Sequence, residues 1–168
     1  MYHNDVTEKR SDAIQVDKAD LHILKCLVND ARSPFKTVAA AVGLDERTVA
    51  RRVEMMKEKG TFRATGEVDW VGLLGAGTVA YVGCKTAAGD DSRARLYKFI
   101  NRQPRIVESF ATVGQSEYLL KIVATGVRDL REEVLRPLEP LTSDLTTSII
   151  SSQIKRPDYA SALSLLEV

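Results

Sequence analysis

The apolar pattern of this chain changes period beyond residue 60. Before that point hydrophobic residues recur at helical spacing, and after about residue 75 short alternating runs take over. A helical stripe and a period-two run bury different kinds of face. The switch therefore divides the 168 residues into a small helical head and a mixed second domain. In the head, "VDKADLHILKCLVND" puts Leu21, Leu24, Leu27 and Val28 on one stripe, with Asp17 as N-cap. Ser33 and Pro34 read as N-cap and first-turn proline of a second helix, Pro34 to Val42, which ends at Gly43. Ala39, Ala40 and Ala41 keep that helix thin. Asp45 caps a third helix that stops near Gly60. Three short helices with a tight turn between the last two match a helix-turn-helix head.

The third helix, within "GLDERTVARRVEMMKEKG", carries Arg47, Arg51 and Arg52 in its first half. Cations at a helix N-terminus oppose the helix dipole, so another partner must want them. Val49, Val53 and Met56 recur at i, i+4 and i+7 and should face the core. Arg47 and Arg51 then lie close to the opposite side, Thr48 flanks that face, and Arg52 sits nearer the core boundary. The N-terminal half of a recognition helix enters the major groove of double-stranded DNA, where arginine can pair with guanine or meet phosphate. Arg47, Thr48 and Arg51 are therefore the expected base-edge contacts. Arg32, Ser33, Lys36 and Arg52 are expected to meet phosphates or hold the head on the backbone. A solvated face with i,i+4 pairing is the other reading of the arginines taken alone. Residues 17–65 hold ten Lys/Arg against seven Asp/Glu, in a chain of net charge +1. So modest an excess implies weak binding by one head and useful affinity only from two or more held together.

In the second domain, "GTVAYVGCKT" reads as a strand and "DSRARLYKFINRQP" as a helix capped by Asp91 or Ser92 and stopped by Pro104. "RIVESFATVG" and "EYLLKIVAT" read as a hairpin with a tight Gly-Gln-Ser link. A helix marked by Val127, Leu130, Val134 and Leu138, disrupted at Pro137, and a final strand "TTSIISSQIK" follow. The order β-α-β-β-α-β is the ferredoxin-like arrangement, with both helices on one face of an antiparallel sheet. Leu119, Lys121 and Val123 point away from those helices. An open face carrying Leu119 and Val123 invites a second copy, so a homodimer or higher homo-oligomer is expected.

Other classes find little footing. Cys26 and Cys84 sit in apolar surroundings without C-x-x-C spacing and read as reduced thiols rather than a disulfide or metal pair. No apolar run approaches a membrane span, and the N-terminus is polar and mixed in charge, unlike a signal peptide. A cytoplasmic protein without membrane attachment is expected. His3 and His22 are far apart, and no nucleophile triad, phosphate loop or metal-spaced cluster appears. No enzyme activity, cofactor or metal is expected.

The stretch "VDKADLHILKCLVNDARSPFKTVAAAVGLDERTVARRVEMMKEKG" closely resembles the opening of Lrp/AsnC (feast/famine) transcriptional regulators. Their pattern L-D-x-x-D-x-x-I-L, D-A-R, V-G-L-S-x-x-T-V-x-x-R-V is matched at Asp17, Asp20, Ile23, Leu24, Asp30 to Arg32, Val42 to Leu44, Thr48, Val49, Arg52 and Val53. Similarity continues through "VDWVGLLG" and "TVGQSEYLLKI" to about Lys155. The resemblance implies a prokaryotic DNA-binding regulator, dimeric or higher, whose second domain mediates assembly and often binds an amino acid. It also implies an effector site at the loop that the family writes V-T-G-x-x-D, here Thr112, Val113, Gly114, Gln115, Ser116 and Glu117. Val113 stands for the usual threonine and Glu117 for aspartate, so a ligand carboxylate loses one donor and an ammonium meets a longer acceptor. The same residues also suit simple closure of a hairpin. The family's Gly-Tyr after the recognition helix is replaced by Ala64 and Thr65.

The expected α+β organisation is thus a tail (1–16), a helix-turn-helix, winged-helix-like head (17–60) and a wing or hinge (61–74). A ferredoxin-like assembly and effector domain (75–155) and a C-terminal tail (156–168) complete it. The functional expectation is a sequence-specific, oligomeric DNA-binding regulator that responds to an amino acid or related metabolite. The alternative is an oligomeric metabolite sensor that reads no DNA sequence.

Overall fold

The fold is described from a computed structural model, over residues 16–75, 77–155 and 157–166. Apart from Val16, the expected N-terminal tail lies outside the described residues. The chain forms two compact units. One comprises the described residues up to Gly66 together with those from Lys155 onward, and the other is Glu67–Ile154.

In the head, α1 (Lys18–Asn29) opens with a capping box: Asp17 accepts from the Asp20 N–H, and Asp20 accepts from the Asp17 N–H. Helix α2 (Phe35–Val42) is capped differently from the expectation. Pro34 occupies the N-cap position and no side chain caps the helix. The Ser33 hydroxyl turns back to Asp30 Oδ2 at 3.2 Å, because the Asp30 turn before α2 offers it a closer acceptor. Gly43, at φ 72°, reverses the chain after α2, a conformation that costs other residues most. Helix α3 (Glu46–Glu58) starts at Asp45, whose carboxylate accepts from the Thr48 N–H at 2.9 Å. The core gathers Ile23, Leu24, Leu27, Val38, Ala39, Val49, Val53 and Met56. Ile23, fully buried, would cost about 2–5 kcal/mol if truncated to alanine. Of the three alanines in α2 only Ala39 enters this core, while Ala40 and Ala41 face solvent.

The flanking segments take definite forms. Residues 61–69, read as part of the wing or hinge, hold no strand among the described residues; the Thr61 and Phe62 N–H groups bond the Met56 carbonyl. Residues 157–166 are not a free tail. Helix α7 (Tyr159–Leu163), N-capped by Asp158, packs on α1, and Leu163 joins the head core. The sequence "YASALSLL" carries the apolar spacing for this, but it is too short to announce a helix alone.

The second unit begins with α4 (Trp70–Leu74) and then forms β1 (Thr78–Thr86), α5 (Ser92–Arg102), β2 (Ile106–Ala111) and β3 (Tyr118–Ala124). A composite helix α6 (127–138) and β4 (Thr142–Ile149) complete it. The four-stranded sheet has order β2-β3-β1-β4, antiparallel throughout, as the ferredoxin-like reading requires. Ala80, Val82, Cys84, Leu120 and Ile122 face Leu96, Ile100, Leu130, Val134 and Leu138 of the helices. Cys84 is buried and reduced; burial, with a smaller effect of the Glu117 charge, pushes its thiol up to about 11.

Pro137 does not break the second helix. Helix α6 runs Val127–Leu130, widens to a π turn over Arg131–Leu135 and continues over Arg136–Leu138. A proline normally strands the carbonyl four residues back. Here that carbonyl, on Glu133, accepts from Gln103 Nε2 at 2.8 Å. The wider turn, with the Arg136 N–H bonded to the Arg131 carbonyl, accommodates the ring. The last strand also starts earlier than expected. It pairs Thr142–Ile149 with Thr86–Ala80, and beyond Ile149 strand β1 offers little more than the Val79 carbonyl.

Candidate DNA interface and effector loop

Helix α3 places its arginines in three different environments. Val49, Val53 and Met56 are buried, so the opposite face is free. Arg47 and Arg51 lie on it, exposed and one turn apart. Among the described residues, Arg47 has no ion pair and Arg51 makes only a 3.5 Å contact with Met55 Sδ. The N-terminal end tolerates this positive charge because Asp45 and Glu46 supply negative charge there. Thr48 is half-buried. Its hydroxyl donates to Asp45 Oδ2 at 2.6 Å, and that bond holds the Asp45 carboxyl below its ordinary range. With its proton committed, Thr48 offers a groove only a methyl group and an acceptor lone pair.

Arg52 behaves otherwise. Its Nη1 lies 2.6 Å from Asp17 Oδ2 and 2.8 Å from Asp20 Oδ1, tying α3 to the start of α1. Only 24% of its side chain is exposed. The guanidinium pKa is raised by its bond to Asp20, then by that to Asp17. The phosphate role expected of Arg52 therefore competes with a partner already in place. Arg32, Ser33 and Lys36 cluster at the α1–α2 turn. Arg32 and Lys36 extend into solvent, while the Ser33 hydroxyl is held by Asp30.

The expected effector loop joins β2 to β3. The Thr112 N–H donates to the Glu117 carbonyl at 2.8 Å, and the Thr112 hydroxyl donates to the Ser116 carbonyl at 2.6 Å. Glu117 turns toward β1: its Oε2 accepts from the Thr86 N–H at 3.1 Å and the Thr86 hydroxyl at 2.9 Å. The backbone bond from Thr86, then its hydroxyl, lowers the Glu117 pKa. Thr112 and Glu117 thus spend polar groups on closing the loop. Gly114 has φ 153° with open space around it, so backbone conformation, and no crowding, favours glycine there. Gln115 and Ser116 border a hollow on the open sheet face with Tyr81, Lys85, Leu119 and Asp144. Its charged rim is the Lys85–Asp144 ion pair, 2.8 Å long. The loop is seated because residue 83 is glycine; a Cβ there would lie 2.5 Å from Ser116 Oγ. Lys85 and Asp144 were not among the sequence candidates, since their partnership spans β1 and β4 and no local spacing reveals it.

Among the described residues, no group of three or more His, Cys, Asp or Glu is placed to hold a metal ion. Nor is any helix long and apolar enough to cross a membrane.

Comparison with known proteins places this geometry. Residues 16–57 match the AsnC-type helix-turn-helix domain, and residues 79–159 match the Lrp/AsnC ligand binding domain. The chain is 28% identical over 117 residues to the HTH-type transcriptional regulator FL11 of Pyrococcus horikoshii, covering 70% of this chain and 76% of the relative. It is 24% identical over 139 residues to the regulatory protein AsnC of Haemophilus influenzae, covering 82% and 92%. Among solved structures, a transcriptional regulator of Neisseria meningitidis in complex with L-Met superposes with TM-score 0.75 at 22% identity, over 84% of this chain and 94% of that one. E. coli AsnC gives the same TM-score at 19% identity, over 88% and 99%. With both domains matched in the order in which the head and the βαββαβ unit occur, this chain belongs to the Lrp/AsnC family of transcriptional regulators.

Proposed function

We propose that the head reads double-stranded DNA by inserting α3 into the major groove, with Arg47 and Arg51 donating to base edges. The observation that carries this is the free N-terminal face of α3, with two exposed arginines that have no anionic partner among the described residues. Thr48 adds contact through its methyl group or as an acceptor, since its proton is spent on Asp45. Arg32 and Lys36 meet phosphates. The uncapped start of α2, next to Ser33, leaves N–H groups available to a phosphate oxygen. Arg52 serves mainly to set α3 against α1.

The protein acts as a homo-oligomer in the cytoplasm, assembled at least as a dimer through the open sheet face. Phe110, 49% exposed, lies beside Leu119 on that face, and half-buried Tyr81 extends it, while Val123, expected to share the open face, is buried. A small metabolite of the amino-acid class binds beside the loop 112–117, where Gln115 and Ser116 face the hollow. The regulator solved with L-Met supports that class of ligand. Two measurements test the reading. Selection from a random duplex pool should return one recurrent site, ideally with two-fold symmetry. Calorimetry with a panel of amino acids should give at least one binder at millimolar concentration or below. Failure to enrich any sequence overturns the readout by α3, and a blank panel overturns the amino-acid class.

A further inference from the structure

We propose that helix α5 carries a second duplex-DNA contact, made by Arg95, Lys98 and Arg102 to the phosphate backbone outside the sequence read by α3. Between Asp91 and Glu108 the sequence has five cations and no anion. The rest of Glu67–Ile154 does not share this bias, for that unit holds ten Lys/Arg against eleven Asp/Glu overall. Half of its positive charge therefore sits in one short segment.

The helix sorts those cations by face. Ser92, Leu96 and Ile100 are buried against the sheet. At 100° per residue Arg95, Lys98 and Arg102 fall within an arc of about 60° on the outward side. All three are exposed, and none forms an ion pair with the described residues. The other two cations are engaged elsewhere. Arg105 is bonded to Asp129 at 2.7 Å, and Arg93 lies round the helix, where its charge acts on Glu117. Helix stability explains only part of the stripe. Arg102 in the last turn favours the dipole, but Arg95 and Lys98 gain nothing from it.

Three cations spread over about 10 Å of helix make a track for an extended anion. For a chain whose established role is transcriptional regulation, the polyanion at hand is the duplex that its heads hold. Such contacts add affinity without sequence preference and release counterions.

The test uses the full chain with Arg95, Lys98 and Arg102 replaced by glutamine, which keeps length and helix preference. Binding is measured over a salt series to a duplex limited to a selected site. It is then repeated with the same site embedded in flanking sequence that runs well past it. The triple variant should bind the short duplex like the wild type. On the long duplex the slope of log K against log salt should shrink by roughly 2–3, and affinity should fall with it. Lysine at both Arg95 and Arg102 should restore most of the slope. An unchanged slope on the long duplex overturns the proposal. So does an equal loss on both duplexes, or a changed oligomeric state by light scattering, either of which would make the stripe an assembly surface. Because readout by α3 is scored on the short duplex, its failure would be seen separately.

Discussion

Arg52 shows that neighbours, and not residue type, decide what a guanidinium does. It belongs to the same run as Arg47 and Arg51, yet two carboxylates of α1 hold it. The helical period placed it at the core boundary. The period could not show Asp17 and Asp20 as partners, because they lie more than thirty residues away. Arg52→Met should cost the head about 1–2 kcal/mol, as expected for a partly exposed pair of charge-assisted bonds. The salt slope of DNA binding should stay unchanged for the folded protein. Urea melts and a salt series check both. A slope reduced by about 1 at unchanged stability would return Arg52 to the phosphates. Thr48 and Glu117 make the same point: their types fit the expected roles, but the structure has already engaged their polar atoms.

At the scale of elements, the sequence carried the helices of the head and the βαββαβ order because both rest on apolar period and on Gly, Pro and Asp punctuation. It missed what depends on long-range pairing. The start of β4 follows from its register on β1, and α6 survives Pro137 because Gln103, thirty residues away, takes up the stranded carbonyl. The candidate DNA face was legible because helical spacing fixes it. The sheet hollow was only half legible, since Lys85 and Asp144 meet across strands. A similar long-range clamp gives the second domain a pH dependence. Arg105, just before β2, forms two bonds to Asp129 in α6, and Asp129 also accepts from the Thr125 N–H. The Arg105 bond, then the Thr125 bond, holds the Asp129 carboxyl at about 2, below its unfolded value of 3.8. A depressed folded pKa means stability that is fully present above the unfolded value and is lost as pH falls through the folded one. The second domain should thus lose about 1–2 kcal/mol between pH 5 and about 2 from this group, after allowance for solvent screening. Urea midpoints at pH 6 and pH 3 should differ less in Asp129→Asn than in the wild type. An identical acid loss in the variant would remove Asp129 from the account.

At the scale of the whole molecule, the chain visits the head twice. It leaves after α3, builds the sheet, and comes back from β4 to place α7 on α1. Leu163, half-buried, packs against the head core, so removal of residues 159–168 should lower the stability of the head by about 1–3 kcal/mol. The second domain should keep its own transition. Two-probe thermal melts, with the single Trp70 reporting on the second unit and helical signal on both, separate these outcomes. Equal stability of the truncated and full chains would make α7 a passive end.

The central claim is that α3 reads sequence through its exposed arginines. The most direct measurement compares wild type and Arg51→Ala on a selected site and on a scrambled duplex at one salt concentration. The account predicts a loss of about 1–3 kcal/mol on the selected site and a much smaller loss on the scrambled one. Equal losses on both duplexes would contradict it and leave Arg51 as a phosphate contact only.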